Sequence, residues 1–115
     1  MAIVIYHNPR CGKSRDTMKL LDEKGIKPKV IEYLKDPPSA AELKEILGKL
    51  GIAPRQLLRK GEAPYSDLKL GDETLSDAAI IKAMAQNPIL IERPIVVNGN
   101  KAAVGRPPEA VLKIL

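Results

Sequence analysis

At 115 residues, 44% hydrophobic and 29% charged, the chain has the size and make-up of one globular domain with its own core. No apolar stretch nears the roughly 20 residues of a membrane span, no signal core follows the N-terminus, and one cysteine allows no internal disulfide; a cytoplasmic protein without a membrane partner is expected. The net charge of +5, with no Trp or Phe, three Tyr and no long Lys/Arg block, argues against nucleic acid and for a small anion or an acidic partner surface.

Ala2 to Tyr6 is a short β-branched, apolar run and predicts a buried strand. Asn8-Pro9 marks a turn, and a helix is expected to begin near Gly12 to Ser14 and to end at Gly25. Lys29 to Tyr33 predicts a second strand, so strand, helix and strand form a right-handed βαβ unit with a parallel pair. Asp36-Pro37-Pro38 breaks that strand. Ser39 and Glu42 form a capping box for a helix with Leu43, Ile46, Leu47 and Leu50 on one face, ended by Gly51.

Pro54 opens a short helix carrying Leu57, Leu58 and Arg59. Gly61 to Thr74 is polar, with a helical turn expected around Tyr65 to Leu68. Ser76 caps a further helix with Ala79, Ile80, Ala83 and Met84 on one face, and Asn87-Pro88 ends it. Ile95 to Val97 and Lys101 to Val104 predict two more strands joined at Asn98-Gly99-Asn100. Pro107-Pro108 opens a last helix with Val111, Ile114 and Leu115 facing inward. With the middle helices set aside, βαβ…ββα remains. That order predicts an α/β, thioredoxin-like fold: one domain with a four-stranded mixed sheet and a helical insertion at about 39–87.

The chemistry concentrates at His7-Asn8-Pro9-Arg10-Cys11-Gly12-Lys13-Ser14-Arg15, which holds the only cysteine and the only histidine. A thiol at a helix N-terminus meets the positive end of the dipole, and Arg10, Lys13 and Arg15 add cations. Such a setting lowers a cysteine pKa and yields a nucleophile at neutral pH. A buried, inert cysteine usually has apolar neighbours, which Cys11 lacks. Ser14 stands where a Cys-x-x-Cys pair would need its second thiol, so any resolving thiol comes from another molecule. Thr17 stands where a Cys-x5-Arg phosphatase loop needs arginine, and His7 where a Walker A loop needs its first glycine. His7 either orients the site and helps to hold the thiolate or satisfies a loop hydrogen bond. Arg59, Arg93 and Arg106 fall at element ends, where a planar fork suits a tetrahedral oxyanion, although arginines are commonly solvated surface charge. If the fold assignment holds, Pro94 is a cis-proline that faces Cys11 and brings Arg93 to its side.

Several dispersed motifs recur in the same order in one family. Tyr6-His7-Asn8-Pro9-x-Cys11-Gly12-x-Ser14-Arg15, Tyr33-Leu34-x-x-Pro37-Pro38, Leu57-Leu58-Arg59-Lys60, Asn87-Pro88-Ile89-Leu90-Ile91-x-Arg93-Pro94-Ile95-Val96-Val97 and Gly105-Arg106-Pro107 resemble the glutaredoxin-coupled arsenate reductases, the ArsC family, over nearly the whole chain. The resemblance is strongest to compact members that end soon after the last helix. It implies that Cys11 is the catalytic nucleophile, that Arg59, Arg93 and Arg106 hold arsenate, that His7 favours the thiolate and that Ser14 places a hydroxyl near the sulfur. It implies arsenate, glutathione and glutaredoxin as partners, glutathione as co-substrate, no bound cofactor or metal, and action as a monomer. Two alternatives stay open: an Spx-type regulator that binds RNA polymerase, against which Ser14 argues, and a glutathione-linked oxidoreductase with another substrate.

Overall fold

The computed structural model describes residues 2–115. The chain divides into two compact units, one made of the chain up to Asp36 together with Arg93–Leu115, the other of Pro37–Glu92.

The first unit carries the sheet. Strand β1 (Ile3–His7) leads into helix α1 (Gly12–Glu23), which returns to strand β2 (Lys29–Glu32). Gly25 lets the chain reverse after α1, since its φ of 72° is left-handed and its N–H and that of Ile26 cap Asp22 and Leu21. After the second unit, β3 (Ile95–Asn98) and β4 (Lys101–Val104) form a hairpin with Gly99 at φ 62° in the turn. The sheet order is β2-β1-β3-β4, with β1 parallel to β2 and β3 antiparallel to both β1 and β4. This is the four-stranded mixed sheet of a thioredoxin-like α/β fold. Ile5, Leu21, Val96 and Val111 form its fully buried core, with Ile3, Met18, Leu20, Ile26, Ala103 and Ile114 packed around them. Lys29 and Val30 leave β2 partly open, and a lysine on an edge strand discourages further pairing.

The structure differs from the sequence expectation at strand ends and in the C-terminal segment. Strand β1 runs one residue further than Tyr6, because His7 pairs with Glu32 at the end of the parallel ladder. The C-terminal segment is a 3-10 helix, Pro108–Ile114, and Leu115 is 41% exposed, not inward. With three residues per turn, Val111 and Ile114 fall on one face and Leu115 rotates away from it. Asn98 ties this segment to the hairpin by donating Nδ2–H to the Ile114 carbonyl at 2.6 Å.

In the second unit, α2 (Ala40–Leu50) starts with both halves of the capping box, the Glu42 N–H donating to Ser39 Oγ and the Ser39 N–H to Glu42 Oε1. Such a cap contributes about 1 kcal/mol. Leu43, Ile46 and Leu47 are buried and α2 packs against α4 (Asp77–Gln86), whose Ile80, Ala83 and Met84 are buried. Leu50 and Ala79 are only half-buried. A 3-10 turn, Pro54–Leu57, precedes α3 (Ala63–Asp67), which starts two residues ahead of Tyr65 because Pro64 fits its first turn. Arg55 reaches across this polar stretch and donates to the carbonyls of Leu70, at 2.7 Å, and Asp72. Leu58 and Ile91 form an isolated antiparallel bridge, flanked by Arg59 N–H to Leu90 O and Glu92 N–H to Leu57 O.

Candidate active site

Cys11 is the N-cap of α1, in extended backbone conformation, with its own N–H donating to the Asn8 carbonyl at 3.0 Å. The loop that delivers it is self-braced. Asn8 accepts the Arg10 N–H on Oδ1 at 3.0 Å, and Arg15 donates Nη1–H to the Pro9 carbonyl at 3.3 Å. This is a local Asx turn closed by a helix-borne cation.

Partial burial pushes the Cys11 thiol up. The Ser14 N–H, the Arg93 guanidinium, the Lys13 N–H and the Arg93 charge outweigh that, and the pKa lies below the ordinary thiol value. Arg106 adds an Nη2–H bond to Sγ at 3.6 Å and anchors itself by donating Nε–H to the Arg93 carbonyl at 2.8 Å. A sulfur facing first-turn N–H groups and two guanidinium forks is stabilised as a thiolate. Its alkylation by iodoacetamide is expected to reach half-maximal rate at a lower pH than that of an ordinary thiol, and a midpoint at the ordinary thiol value would remove the activation argument.

His7 and Ser14 meet although seven residues apart. His7 Nδ1 lies 2.6 Å from Ser14 Oγ, and the fully buried Ser14 hydroxyl also accepts the Asn8 N–H at 3.0 Å. Burial lowers the His7 pKa and the Glu32 carboxylate partly opposes this, so the imidazole is neutral at pH 7. His7 therefore meets the Ser14 hydroxyl as a neutral imidazole, not as a cation.

The Arg93–Pro94 peptide is cis, and so is Arg106–Pro107. The end of β4 presses close to this corner. A Cβ on Gly105 would stand 2.5 Å from Thr17 Oγ1 and 2.8 Å from Pro94 Cγ, and Gly105 N–H bonds the Pro94 carbonyl at 2.9 Å. Thr17 is fully buried and donates Oγ1–H to the Lys13 carbonyl at 2.8 Å. Sequence reasoning used Thr17 only to reject a phosphatase loop and Gly105 only as part of the Gly105-Arg106-Pro107 motif, giving neither a role. A small residue directly before Arg106 was the available signal.

Cys11, His7, Ser14, Arg93, Pro94 and Arg106 thus belong to one compact unit. Arg59 belongs to the other, where its Nη1 donates to Glu92 Oε1 at 2.7 Å and its Nε lies 3.5 Å from Glu62 Oε1. Neither carboxylate was foreseen as its partner. Among the described residues no group of three His, Cys, Asp or Glu side chains is gathered as around a metal ion, and no helix is long and apolar enough to cross a membrane.

A thioredoxin-like sheet with one activated thiol at the start of α1, and arginines in place of a second thiol, defines a class of single-cysteine sites. The ArsC family model matches residues 6–114. An arsenate reductase of Haemophilus influenzae is 50% identical over 116 residues, spanning 100% of both chains. The uncharacterized protein YfgD of Escherichia coli is 52% identical over 114 residues, covering 98% of this chain and 96% of that one. The solved structure of an arsenate reductase from Vibrio cholerae superposes with a TM-score of 0.97 at 53% identity, over 100% of this chain and 98% of the other. The chain belongs to the ArsC family.

Proposed function

We propose that this protein reduces arsenate to arsenite through Cys11 as sole nucleophile, with glutathione and glutaredoxin as external reductants. The observation that carries the proposal is the sulfur at the N-terminus of α1 with Arg93 and Arg106 against it. The names of its relatives supply the oxyanion. The Cys11 thiolate attacks arsenic, and one arsenate oxygen leaves, ending as water. Arg93 and Arg106, with Arg59 in the role that the family assigns to it, neutralise charge on the remaining oxygens. A glutathione thiol attacks the adduct, and a second thiol, from glutaredoxin, completes the transfer of two electrons. The two external thiols end as a disulfide and arsenite departs. Ser14 cannot resolve the adduct, so the electrons come from outside the chain. His7 and Ser14 hold the nucleophile's environment, and the residues need no bound cofactor for this chemistry. Dependence on reduced glutathione fits a cytoplasmic location.

The test is arsenite formation by purified protein. Arsenite should appear only with glutathione present and faster with glutaredoxin; formation no faster than without protein, under both conditions, overturns the proposal.

A further inference from the structure

Strands β1 and β2 run parallel, and His7 and Glu32, their last residues, are registered partners. The loop to Cys11 and the turn after Glu32 therefore leave the sheet side by side at its carboxyl end, where parallel α/β sheets bind their ligands. Between them lies a cleft of about 310 Å³ whose walls include His7, Pro9, Arg10, Glu32, Leu34 and Lys35. Its size is at the lower end of the roughly 300–1,000 Å³ of small-molecule sites. The loop wall is tied to the nucleophile. Arg10 directly precedes Cys11, at about 3.8 Å between Cα atoms, and the Cys11 N–H closes the loop on the Asn8 carbonyl at 3.0 Å.

The charges in this cleft are few and open to exchange. The Arg10 guanidinium makes no hydrogen bond or ion pair among the described residues; only its backbone N–H is engaged. Lys35 and Glu32 stand 3.8 Å apart with exposed side chains, a contact weak enough to give way to a ligand. The Lys35 N–H donates to the Glu32 carbonyl at 2.9 Å, so the turn keeps both residues at the cleft. His7 is neutral at pH 7 and adds no third cation. The cleft thus presents two cations and one carboxylate, with Leu34, 40% exposed, as an apolar wall. Glutathione carries the inverse set at neutral pH: two carboxylates, one ammonium and a methylene arm. The larger groove along α1, of about 400 Å³, sets Lys13 and Lys19 against Asp16, Glu23 and Glu109, an excess of negative charge that repels such a peptide.

We propose that the cleft between the Cys11 loop and the turn after β2 is the site for glutathione, with Arg10 and Lys35 taking its two carboxylates and Glu32 its ammonium. The inference rests on glutathione being the external reductant and adds where it is held. Bound there, the tripeptide lies against the residue before the nucleophile, and its thiol approaches the Cys11 adduct from the loop side. Arg93 and Arg106, which face the sulfur, stay with the oxyanion. Reductant and oxyanion thus draw on separate cations.

The experiment is a titration of the protein with S-methylglutathione, whose blocked thiol cannot react, followed by amide NMR. Expected are saturable shifts centred on residues 7–10 and 32–35. Arg10→Ala and Lys35→Ala should each raise the dissociation constant about two- to fivefold, since each removes one exposed charge contact. Glu32→Gln should weaken S-methylglutathione by a similar factor and leave N-acetyl-S-methylglutathione, which has no ammonium, unaffected. In turnover, Lys35→Ala should raise the KM for glutathione and not that for arsenate. Absent binding, shifts centred elsewhere, unchanged constants in Arg10→Ala and Lys35→Ala, or equal loss of both ligands in Glu32→Gln overturns the inference. Binding needs no arsenate, so failure to form arsenite would sink the proposed function alone. Normal arsenite formation with S-methylglutathione bound elsewhere would sink this inference alone.

Discussion

Cys11→Ser is expected to lower arsenate turnover by about 10⁴-fold or more while leaving the fold as stable as wild type, or slightly more so. The two halves of that result have separate causes. Activity goes because neighbours that hold a thiolate, the Ser14 and Lys13 N–H groups and the Arg93 guanidinium, cannot ionise a serine hydroxyl at neutral pH. Stability holds because Cys11 occupies the N-cap of α1 without a conventional side-chain cap bond, a position where serine is among the preferred residues and is worth up to about 1 kcal/mol. Thermal or urea unfolding measures the second half and arsenite formation the first. Turnover within tenfold of wild type would remove Cys11 as nucleophile.

Gly105→Ala is expected to destabilise the protein by about 1–3 kcal/mol, lowering Tm by roughly 4–12 °C, and to depress turnover beyond what its remaining folded fraction explains. The added methyl would meet Thr17 Oγ1 at 2.5 Å and Pro94 Cγ at 2.8 Å. Both neighbours are buried, and a proline ring gives way little. Relief must come from the end of β4, which shifts Arg106, whose Nη2 stands 3.6 Å from the sulfur. Adding Thr17→Ala removes the closer clash and leaves the proline contact, so part of the stability should return. Unaltered stability in Gly105→Ala would show that the strand end moves freely and that this packing does not set the position of Arg106.

The fold was largely legible because its signals are local. Ile3-Val4-Ile5, Gly25, the Ser39–Glu42 box and the Asn98-Gly99-Asn100 turn each state their conformation within a few residues, and the order of elements does the rest. The position of Cys11 at a helix start was legible for the same reason. What escaped were contacts that only closure of the fold creates. His7 finds Ser14 because the Asn8–Cys11 turn folds the chain back by one helical turn, which spacing alone does not reveal. Thr17 and Gly105 come together between α1 and the end of β4, and Glu92 reaches Arg59 across the bridge of Leu58 with Ile91. Leu115 was misplaced because proline-rich sequence permits either an α or a 3-10 start, and the two periods aim that residue differently.

The sheet is discontinuous in the chain: β1 and β2 are made first, while β3, which sits between β1 and β4, comes only after residues 37–92. During synthesis β1 therefore waits with one edge unpaired, a template for wrong pairing until β3 covers it. Cys11 waits as well. Its sulfur and Arg106 are 95 residues apart, roughly 5–20 s at ribosomal speeds. Until Arg93 and Arg106 emerge, the thiol on the nascent chain lacks the guanidinium groups that favour its ionisation. The thiol's full setting is therefore completed by the last part of the chain to be made.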